Sequence, residues 1–301
     1  TGDDCKHKAR DFILNSKEKI FLAHNAEYDI NALFYPLWLD ELELFYNGRL
    51  IFARIRGTKK IIYDTVNFSF TSIKNIGKVI GMEKIEVNGQ FNDVEYCKRD
   101  TEICYHYFRE FYHACKKEFN LIPKKTLAGT AQTIFLKRFD RNALGGMNTE
   151  PELLNAYFGG RCECFKIGET ENYTFEIDIN SSYPNVMKNR QYPITEFRRS
   201  IVPTGKMYIT NAIVEINDCE FPVLPVKKEK LYFPTGRFQG WFTSIEIEKA
   251  RSLGQIKDIH YIASYNWDTI GNPFEEFIDY FYNKRLEAKR EGNEFYSTFY
   301  K

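Results

Sequence analysis

The chain has 301 residues, of which 43% are hydrophobic and 16% aromatic, so it can bury the cores of two folded domains. Its formal net charge of +1 excludes a global electrostatic field that recruits nucleic acid, and any contact with DNA must come from local patches. No apolar run reaches the roughly 18–20 residues that cross a bilayer, and the N-terminus does not read as a signal peptide.

The cysteines lack the paired spacing of a zinc site, and Cys162 and Cys164 alone make a poor one. We therefore expect reduced, buried thiols in a cytosol-like compartment. Both ends of the chain look cut, because it starts at Thr1 without methionine and stops at Lys301 inside a helical pattern. We interpret the sequence as a fragment.

A predicted strand over residues 20–24 delivers Asn25, Tyr28 and Asp29 to the start of a helix. The alternative to a functional role is an ordinary helix start, with Asn25 as the N-cap and Asp29 favoured in the first turn. The segment resembles the second exonuclease motif of proofreading DNA polymerases. The resemblance implies that Asn25 and Tyr28 contact DNA and that Asp29 binds a metal ion.

Residues 50–80 predict two apolar strands, at 50–55 and 60–63, and then a helix that Ser72 caps and Gly81 ends. This order of elements is typical of an RNase H-like α/β nuclease sheet. We expect residues 1–120 to form such a domain.

A further helix is predicted from Asp93, with Tyr96 and Asp100 four residues apart and hence on one face. A surface pair beside an aromatic core is the alternative. The pair resembles the third exonuclease motif, which implies that Asp100 binds a metal ion and Tyr96 orients the attacking water. The first motif of that family supplies two more acids, and nothing upstream of residue 24 provides them on a strand. Asp29 and Asp100 alone cannot assemble a two-metal site, so we expect that this chain does not proofread.

Residues 121–150 predict a connector with a helix at 126–139, and a domain boundary falls in this stretch. The segment that follows, 157–165, contains paired glycines, which let another backbone approach closely, and an arginine that can neutralise a phosphate. A simple turn into a strand is the alternative. The segment resembles the Y-x-G-G motif of DNA polymerases, which implies template-DNA contacts by Tyr157, Gly159, Gly160 and Arg161.

Apolar and polar residues alternate over 172–180, which predicts a strand with one buried face and one acidic face. Pro184 is expected to end the strand and to hold Tyr183 extended. Asp178 then lies near a strand end, before a turn with backbone N–H groups, which suits a divalent metal ion that carries a phosphate. The alternative is a half-exposed strand whose acids face water.

Residues 178–184 resemble the D-x-x-S-L-Y-P motif A of family B DNA polymerases, with Ser182 in place of the usual leucine. The resemblance implies that Asp178 holds the catalytic metal ions and that Tyr183 lies under the sugar and rejects a 2′-OH. It also implies a set of nucleotide-binding residues, namely Ile179, Ser181, Ser182 and Tyr183.

Strands are predicted at 206–216 and 221–226, followed by a basic hairpin or loop over 227–237 and a helix at 244–254. The basic segment carries four cations and one anion, which suits either a DNA backbone or plain solvent. The stretch from residue 233 to 242 resembles the palm insertion of phage and linear-plasmid polymerases of this family. Many of these start synthesis on a protein, so a terminal-protein primer is a possible partner.

The last helical pattern covers 274–293 and places Arg285 and Lys289 four residues apart, as a pair of clamps on one face. A solvated charged face is the alternative, because Glu287 and Glu291 are interleaved. The helix resembles the first fingers helix of family B polymerases, whose R-x-x-x-K binds the incoming nucleotide. Lys301 falls where motif B of that family begins.

Taken together, the motifs resemble those of a family B DNA polymerase of the phage and linear-plasmid branch, in the family's order. The resemblance implies an exonuclease-like α/β domain over 1–120, a connector over 121–150, an α+β palm with insertion over 151–273 and the start of the fingers over 274–301. It implies two Mg²⁺ or Mn²⁺ ions, primer-template DNA and deoxynucleoside triphosphates as cofactors and partners. It places the protein in a host cytoplasm or a mitochondrion, not outside the cell.

Two other functions stay open. A nucleic-acid-binding remnant without catalysis fits the missing carboxylates of both sites. A stand-alone exonuclease would need an upstream acidic strand and would leave residues 151–301 without a role. We expect the fragment by itself to be inactive.

Overall fold

The computed structural model describes residues 4–36, 38–86, 93–139, 150–169 and 173–301. The chain divides into two compact units. Unit 1 combines Thr1–Phe139 with Tyr280–Lys301, and unit 2 is Asp140–Asp279. The finer division into four segments stays a prediction. Within the described residues, every helix is too short or too polar to span a bilayer.

The helices are α1 (Cys5–Asn15), α2 (Ala26–Phe34), α3 (Val66–Ser69), α4 (Ile73–Val79), α5 (Asp93–Phe119), α6 (Leu127–Arg138), α7 (Ser182–Asn189), α8 (Ser244–Ser252), α9 (Glu275–Arg290) and α10 (Glu294–Phe299). The strands are β1 (Ile20–Ala23), β2 (Leu42–Asn47), β3 (Arg49–Ile55), β4 (Ile61–Asp64), β5 (Tyr192–Pro193), β6 (Arg198–Ser200), β7 (Met207–Ile216), β8 (Val226–Lys227), β9 (Leu231–Tyr232), β10 (Gly236–Thr243), β11 (Ile256–Trp267) and β12 (Ile270–Gly271). Short 3₁₀ turns cover Leu39–Glu41 and Pro151–Ala156.

Unit 1 is built on a sheet of order β1-β4-β3-β2. Strands β1 and β4 are parallel, while β3 is antiparallel to both of its neighbours. The hydrophobic core on this sheet includes Phe34, Leu50 and Ile55, each at most 1% exposed. The mixed sheet with packed helices confirms the predicted α/β nuclease-like class.

A second core of unit 1 surrounds α5. It combines Phe68, Ile76, Ile103 and Phe111 with ring contacts from Phe299 of α10. The residues at the C-terminus of the chain therefore pack on the same helix that carries Tyr96 and Asp100.

The predicted ends of the helix between Ser72 and Gly81 are confirmed. The Ser72 hydroxyl accepts a hydrogen bond from the Asn75 N–H. The Thr126 hydroxyl caps α6 in the same way, by accepting from the Gly129 N–H. Gly81 has a φ of +69°, the left-handed conformation that ends a helix at little cost for glycine.

Unit 2 is built on an antiparallel sheet of order β10-β7-β11-β6. The strand predicted at 206–216 is confirmed as β7, which alternates strictly between half-buried and buried residues. Its buried side packs with Phe242 of β10 and with Ile247 and Ala250 of α8, each 0% exposed. Helix α8 starts with a capping box between Thr243 and Glu246. The long strand β11 was not predicted.

The predicted strand over 172–180 is wrong for its described part. Residues 173–180 are irregular and exposed, and the apolar side chains Phe175, Ile177 and Ile179 are between 66% and 89% exposed. No described strand pairs with this segment. An alternating pattern forms a strand only where a neighbour satisfies the backbone and covers the apolar face.

Two further local predictions are wrong. Tyr183 is helical rather than extended, because Pro184 stands in the first turn of α7, where a missing N–H costs no helical hydrogen bond. The strand predicted at 221–226 is reduced to β8, since Pro222 and Pro225 cannot donate to a ladder. Strands β8 and β9 do form the predicted basic hairpin.

All seven cysteines lie within the described residues and are free thiols. Four of them are exposed, which contradicts the expectation that they are buried: Cys5, Cys97, Cys162 and Cys164.

Candidate functional site: two groups of polar side chains

In unit 1 the predicted exonuclease residues gather at one edge of the sheet. Parallel strands β1 and β4 pair with Ala23 opposite Asp64, so their carboxyl ends meet. The residues after β1 and at the end of β4 are therefore neighbours: the Nδ1 atom of His24 lies 3.1 Å from the Thr65 hydroxyl. This edge brings the second exonuclease-like segment next to a part of the sequence that is 40 residues away.

The Asp64 carboxylate organises this edge. It is 4% exposed, and its Oδ1 accepts hydrogen bonds from the backbone N–H groups of Asn25 and Val66, each at 3.0 Å. Asn25 occupies the left-handed region, with a φ of +66°, and its side chain does not cap α2. The bond to Asp64 holds this strained backbone and directs Asn25 and Tyr28 to the surface, where Tyr28 is 73% exposed.

Asp29 lies on the first turn of α2, half-buried beside this carboxylate. Burial raises the pKa of Asp29, its own backbone N–H lowers it, and the nearby charge of Asp64 raises it further. Burial also lowers the pKa of His24, whose Nε2–H donates to the Thr71 carbonyl at 2.9 Å. The imidazole is therefore neutral at neutral pH.

Asp100 on α5 carries an ion pair that the sequence patterns did not indicate. The Lys84 ammonium lies 2.8 Å from Asp100 Oδ2 and 4.5 Å from the centre of the Tyr96 ring. Burial lowers the pKa of Lys84, but the bonds to Asp100 and Tyr96 outweigh it and raise the pKa overall. The other oxygen of Asp100, Oδ1, is buried and makes no hydrogen bond to any described residue.

The donor set of unit 1 fits a catalytic metal pair poorly. The charge of Asp64 acts on Asp29, and the Asp100 Oδ1, which has no hydrogen-bond partner among the described residues, is the kind of oxygen that can bind a cation. However, nowhere in the described ranges do three or more His, Cys, Asp or Glu side chains come together in a metal-binding arrangement. The metal-ligand roles of Asp29 and Asp100 stay predictions.

Sequence reasoning missed Asp64, Thr65 and Lys84. Asp64 and Thr65 follow a short apolar strand in the same way that His24 and Asn25 do, so a parallel pairing of the two strands would have placed them together. Lys84 lies in an irregular segment without any motif, and only the tertiary structure reveals its role.

In unit 2, Asp178 lies in the exposed irregular segment that leads into α7. Ser181, the residue before the helix, has a φ of +56°, which turns the chain so that the free N–H groups of the first helical turn follow directly. Tyr183 is on this turn and is 77% exposed.

The Y-x-G-G segment lies beside this turn. A Cβ atom built on Gly160 would come within 3.7 Å of the Tyr183 hydroxyl. The structure thus brings two of the predicted motifs together within unit 2, although 23 residues separate Gly160 and Tyr183 in the sequence. Tyr157 and Gly159 are exposed next to them.

Arg161 makes several contacts with other residues of unit 2. Its guanidinium pairs with Glu163 at 2.5 Å, donates to the Pro222 carbonyl at 2.6 Å and lies 4.0 Å from the centre of the Phe233 ring. These contacts fasten the Y-x-G-G segment to the start of the basic hairpin region. Whether this cation also contacts DNA stays a prediction.

The predicted triphosphate clamps belong to unit 1. Arg285 and Lys289 both lie on α9, as predicted, and Lys301 is exposed at its end of the chain. The Nε atom of Arg285 is buried and makes no hydrogen bond to the described residues. Asp178 belongs to the other unit, so the joining of these residues into one nucleotide site stays a prediction.

Comparison with known proteins identifies a family for this chain. The family profile described as DNA polymerase type B, organellar and viral, matches residues 58–301. A probable DNA polymerase of Podospora anserina is 28% identical over 217 residues, which are 67% of this chain and 17% of that protein. The DNA-directed DNA polymerase of Enterobacteria phage PRD1 is 32% identical over 178 residues, 58% of this chain and 31% of that protein. The chain spans less than a third of the length of these two relatives.

The fold is similar to that of solved polymerases. Phi29 DNA polymerase in an orthorhombic crystal form superposes with a TM-score of 0.70 at 14% identity, covering 98% of this chain and 60% of that chain. Its ternary complex with primer-template DNA and incoming nucleotides gives a TM-score of 0.68 at 16% identity, with the same coverage. The profile match over most of the sequence shows that the chain belongs to the type B DNA polymerases of organelles and viruses.

Proposed function

We propose that this chain is part of a DNA polymerase that extends a primer 3′ end by metal-assisted nucleotidyl transfer, with Asp178 as a metal ligand. The observation that carries the proposal is the position of Asp178, exposed just ahead of the α7 N-terminus. Free N–H groups of a first helical turn bind phosphate, and an adjacent carboxylate can share a metal ion with that phosphate.

The residues around Asp178 fit the parts of such a site. Backbone N–H groups near Ile179, Ser181 and Ser182 hold the triphosphate. The exposed Tyr183 ring lies under the sugar and excludes a 2′-OH, with Gly160 leaving the space beside its hydroxyl. Bound Mg²⁺ would activate the attacking hydroxyl and balance charge on the phosphates.

We also assign three cations to the incoming triphosphate, whose charge they would balance: Arg285, Lys289 and Lys301. The template strand would be contacted by the Y-x-G-G segment, through Tyr157, Gly159, Gly160 and Arg161. A second carboxylate is required for two metal ions, so we expect the chain alone to be inactive.

The test replaces Asp178 by Asn in the polymerase that contains this chain. We expect primer extension to fall by at least about a thousandfold, because a metal ligand supplies several kcal/mol of transition-state stabilisation. Primer-template affinity should change little. Glu176→Gln is the matched control, since Glu176 is exposed in the same segment and should tolerate the change. Extension by the Asp178→Asn enzyme at the normal rate would refute the metal role.

A second candidate function concerns unit 1 alone. We propose that it binds a single-stranded 3′ end through Asn25 and Tyr28 without cleaving it. Lys84 neutralises Asp100, and three metal donors do not come together in the described part of unit 1. The neutralised acid would repel a phosphate less than a free carboxylate does.

This second proposal is checked with an oligonucleotide labelled at its 5′ end and incubated with the chain and Mg²⁺. We expect binding that Tyr28→Ala weakens and no shortening from the 3′ end. Shortening that disappears in Asp100→Asn would instead identify an active exonuclease.

A further inference from the structure

Unit 2 contains a groove that the proposed polymerase chemistry does not use. Its volume is about 630 Å³, and it lies on the face of the sheet opposite α8. The floor is formed by Trp241 and Gln239 of β10 and by Asn211 of β7. Phe158 and the basic hairpin residues Lys227 and Lys228 form its walls.

The chemistry of the lining is specific. Two aromatic rings, two ammonium groups and several amide side chains face one space, and none of the described lining residues is acidic. Aromatic rings stack on nucleobases, amides hydrogen-bond to base edges, and lysines, with their long flexible side chains, neutralise phosphates. Among the described lining residues, no carboxylate would pair with a cationic ligand.

The aromatic floor is held in place before any ligand arrives. The Trp241 ring packs against Tyr265 with their centres 5.8 Å apart, and the Tyr265 hydroxyl donates to Glu152 at 2.6 Å. Gln239 donates to the Asn211 side chain at 3.0 Å, which fixes the amide pair beside the indole. A fixed platform lowers the entropy cost of binding.

We propose that this groove binds single-stranded DNA, with a base stacked on Trp241 and the backbone phosphates at Lys227 and Lys228. The inference rests on the proposed function, because it gives the polymerase a second contact with its DNA substrate. The volume exceeds that of one nucleotide and lies in the range of built ligand sites. Phe158, between Tyr157 and Gly159, connects the groove to the proposed template contacts.

The experiment titrates the 301-residue chain with a labelled oligothymidine of about 12 nucleotides, read by anisotropy and by tryptophan fluorescence. Trp241→Ala should weaken binding about 5- to 100-fold, which is the range for loss of one stacked base. Trp241→Phe should keep most of the affinity and lose the fluorescence quenching, while Trp38 and Trp267 remain as unquenched references.

The charge contribution is measured separately. The double variant Lys227→Ala, Lys228→Ala should reduce the slope of log affinity against log salt by about 1.4, since a lysine–phosphate contact on a single strand contributes about 0.7. Lys249→Ala is the matched control, because Lys249 is an exposed lysine of α8 on the other face of the sheet. This test remains valid if Trp241→Ala does not fold.

Two further probes identify the occupant. An abasic oligonucleotide of equal length should bind the wild-type chain as weakly as oligothymidine binds Trp241→Ala. Free dTTP that quenches Trp241 at equal nucleotide concentration would assign the groove to mononucleotides and overturn the proposal. Unchanged affinity and salt slope in all the groove variants would overturn it too, and would leave the Asp178 result untouched.

Discussion

The buried Asp64 carboxylate fixes the backbone of the candidate site through hydrogen bonds. Both of its backbone donors, Asn25 and Val66, lie at the edge where the two parallel strands end. Burying a charge is tolerated here because each hydrogen bond to a charged group returns part of the desolvation cost. As a result, Asn25 and Tyr28 are exposed, and the bond to Asp64 holds the Asn25 backbone in its left-handed conformation.

Asp29 is expected to lower the stability of the folded protein at neutral pH, because its carboxyl group is half-buried. Burial raises its pKa above the ordinary 3.8, so the folded protein holds the proton more tightly than the unfolded chain. Its contribution to stability is therefore complete below about pH 3.8 and is lost as the pH rises through the folded-state pKa.

Asp29→Asn should consequently stabilise the protein at pH 7. We expect the Tm to rise by only about 1–2 °C, because partial exposure screens the charge, and we expect no gain near pH 3. Circular dichroism melts at the two pH values measure this, with the exposed Asp40→Asn as control. A lower Tm at pH 7 would show that the carboxylate makes favourable contacts in the folded state.

At the scale of elements, the segment 173–180 has the alternating sequence of a strand but lacks, among the described residues, the neighbouring strand and the covered apolar side that a strand needs. Its apolar side chains are exposed, and no described strand pairs with it. Exposed alternating apolar residues that lie outside a sheet are a template for pairing with another chain.

Ile177→Ser should reduce self-association of the isolated chain. Ile177 is 89% exposed, so the change removes apolar surface without opening a cavity. Analytical ultracentrifugation over a range of concentrations should show more monomer than for the wild type. Glu176→Gln changes a neighbouring residue of the alternate, polar set and should not increase the monomer fraction. An equal effect of both variants would argue against pairing through the apolar side chains.

At the scale of the whole molecule, each unit has an apolar core of its own. Phe242 is 0% exposed in unit 2, and Phe34 is 0% exposed in unit 1. Removing either ring should cost about 3–5 kcal/mol of stability in the unit that contains it.

Hydrogen exchange with mass spectrometry can locate this loss. Phe242→Ala should deprotect β7, β10 and β11, whereas Phe34→Ala should deprotect α2 and the strands of unit 1. Equal loss of protection in both units from either variant would mean that the chain unfolds as one cooperative body.

The sequence by itself determined several of the helices and the motifs, because these depend on residues a few positions apart. The Ser72 cap, the spacing of Tyr96 and Asp100, and the position of Arg285 and Lys289 on one helix are local patterns of this kind. The family resemblance, too, could be read from short motifs in order.

Only the tertiary structure decided which distant groups meet. Asp64 reaches Asn25 across 39 residues, Lys84 pairs with Asp100 across 16, and Gly160 lies beside Tyr183. It also decided that residues 173–180 are not a strand, although their pattern predicts one. A strand and an ion pair each need a partner from elsewhere in the chain, and local patterns contain no information about whether that partner arrives.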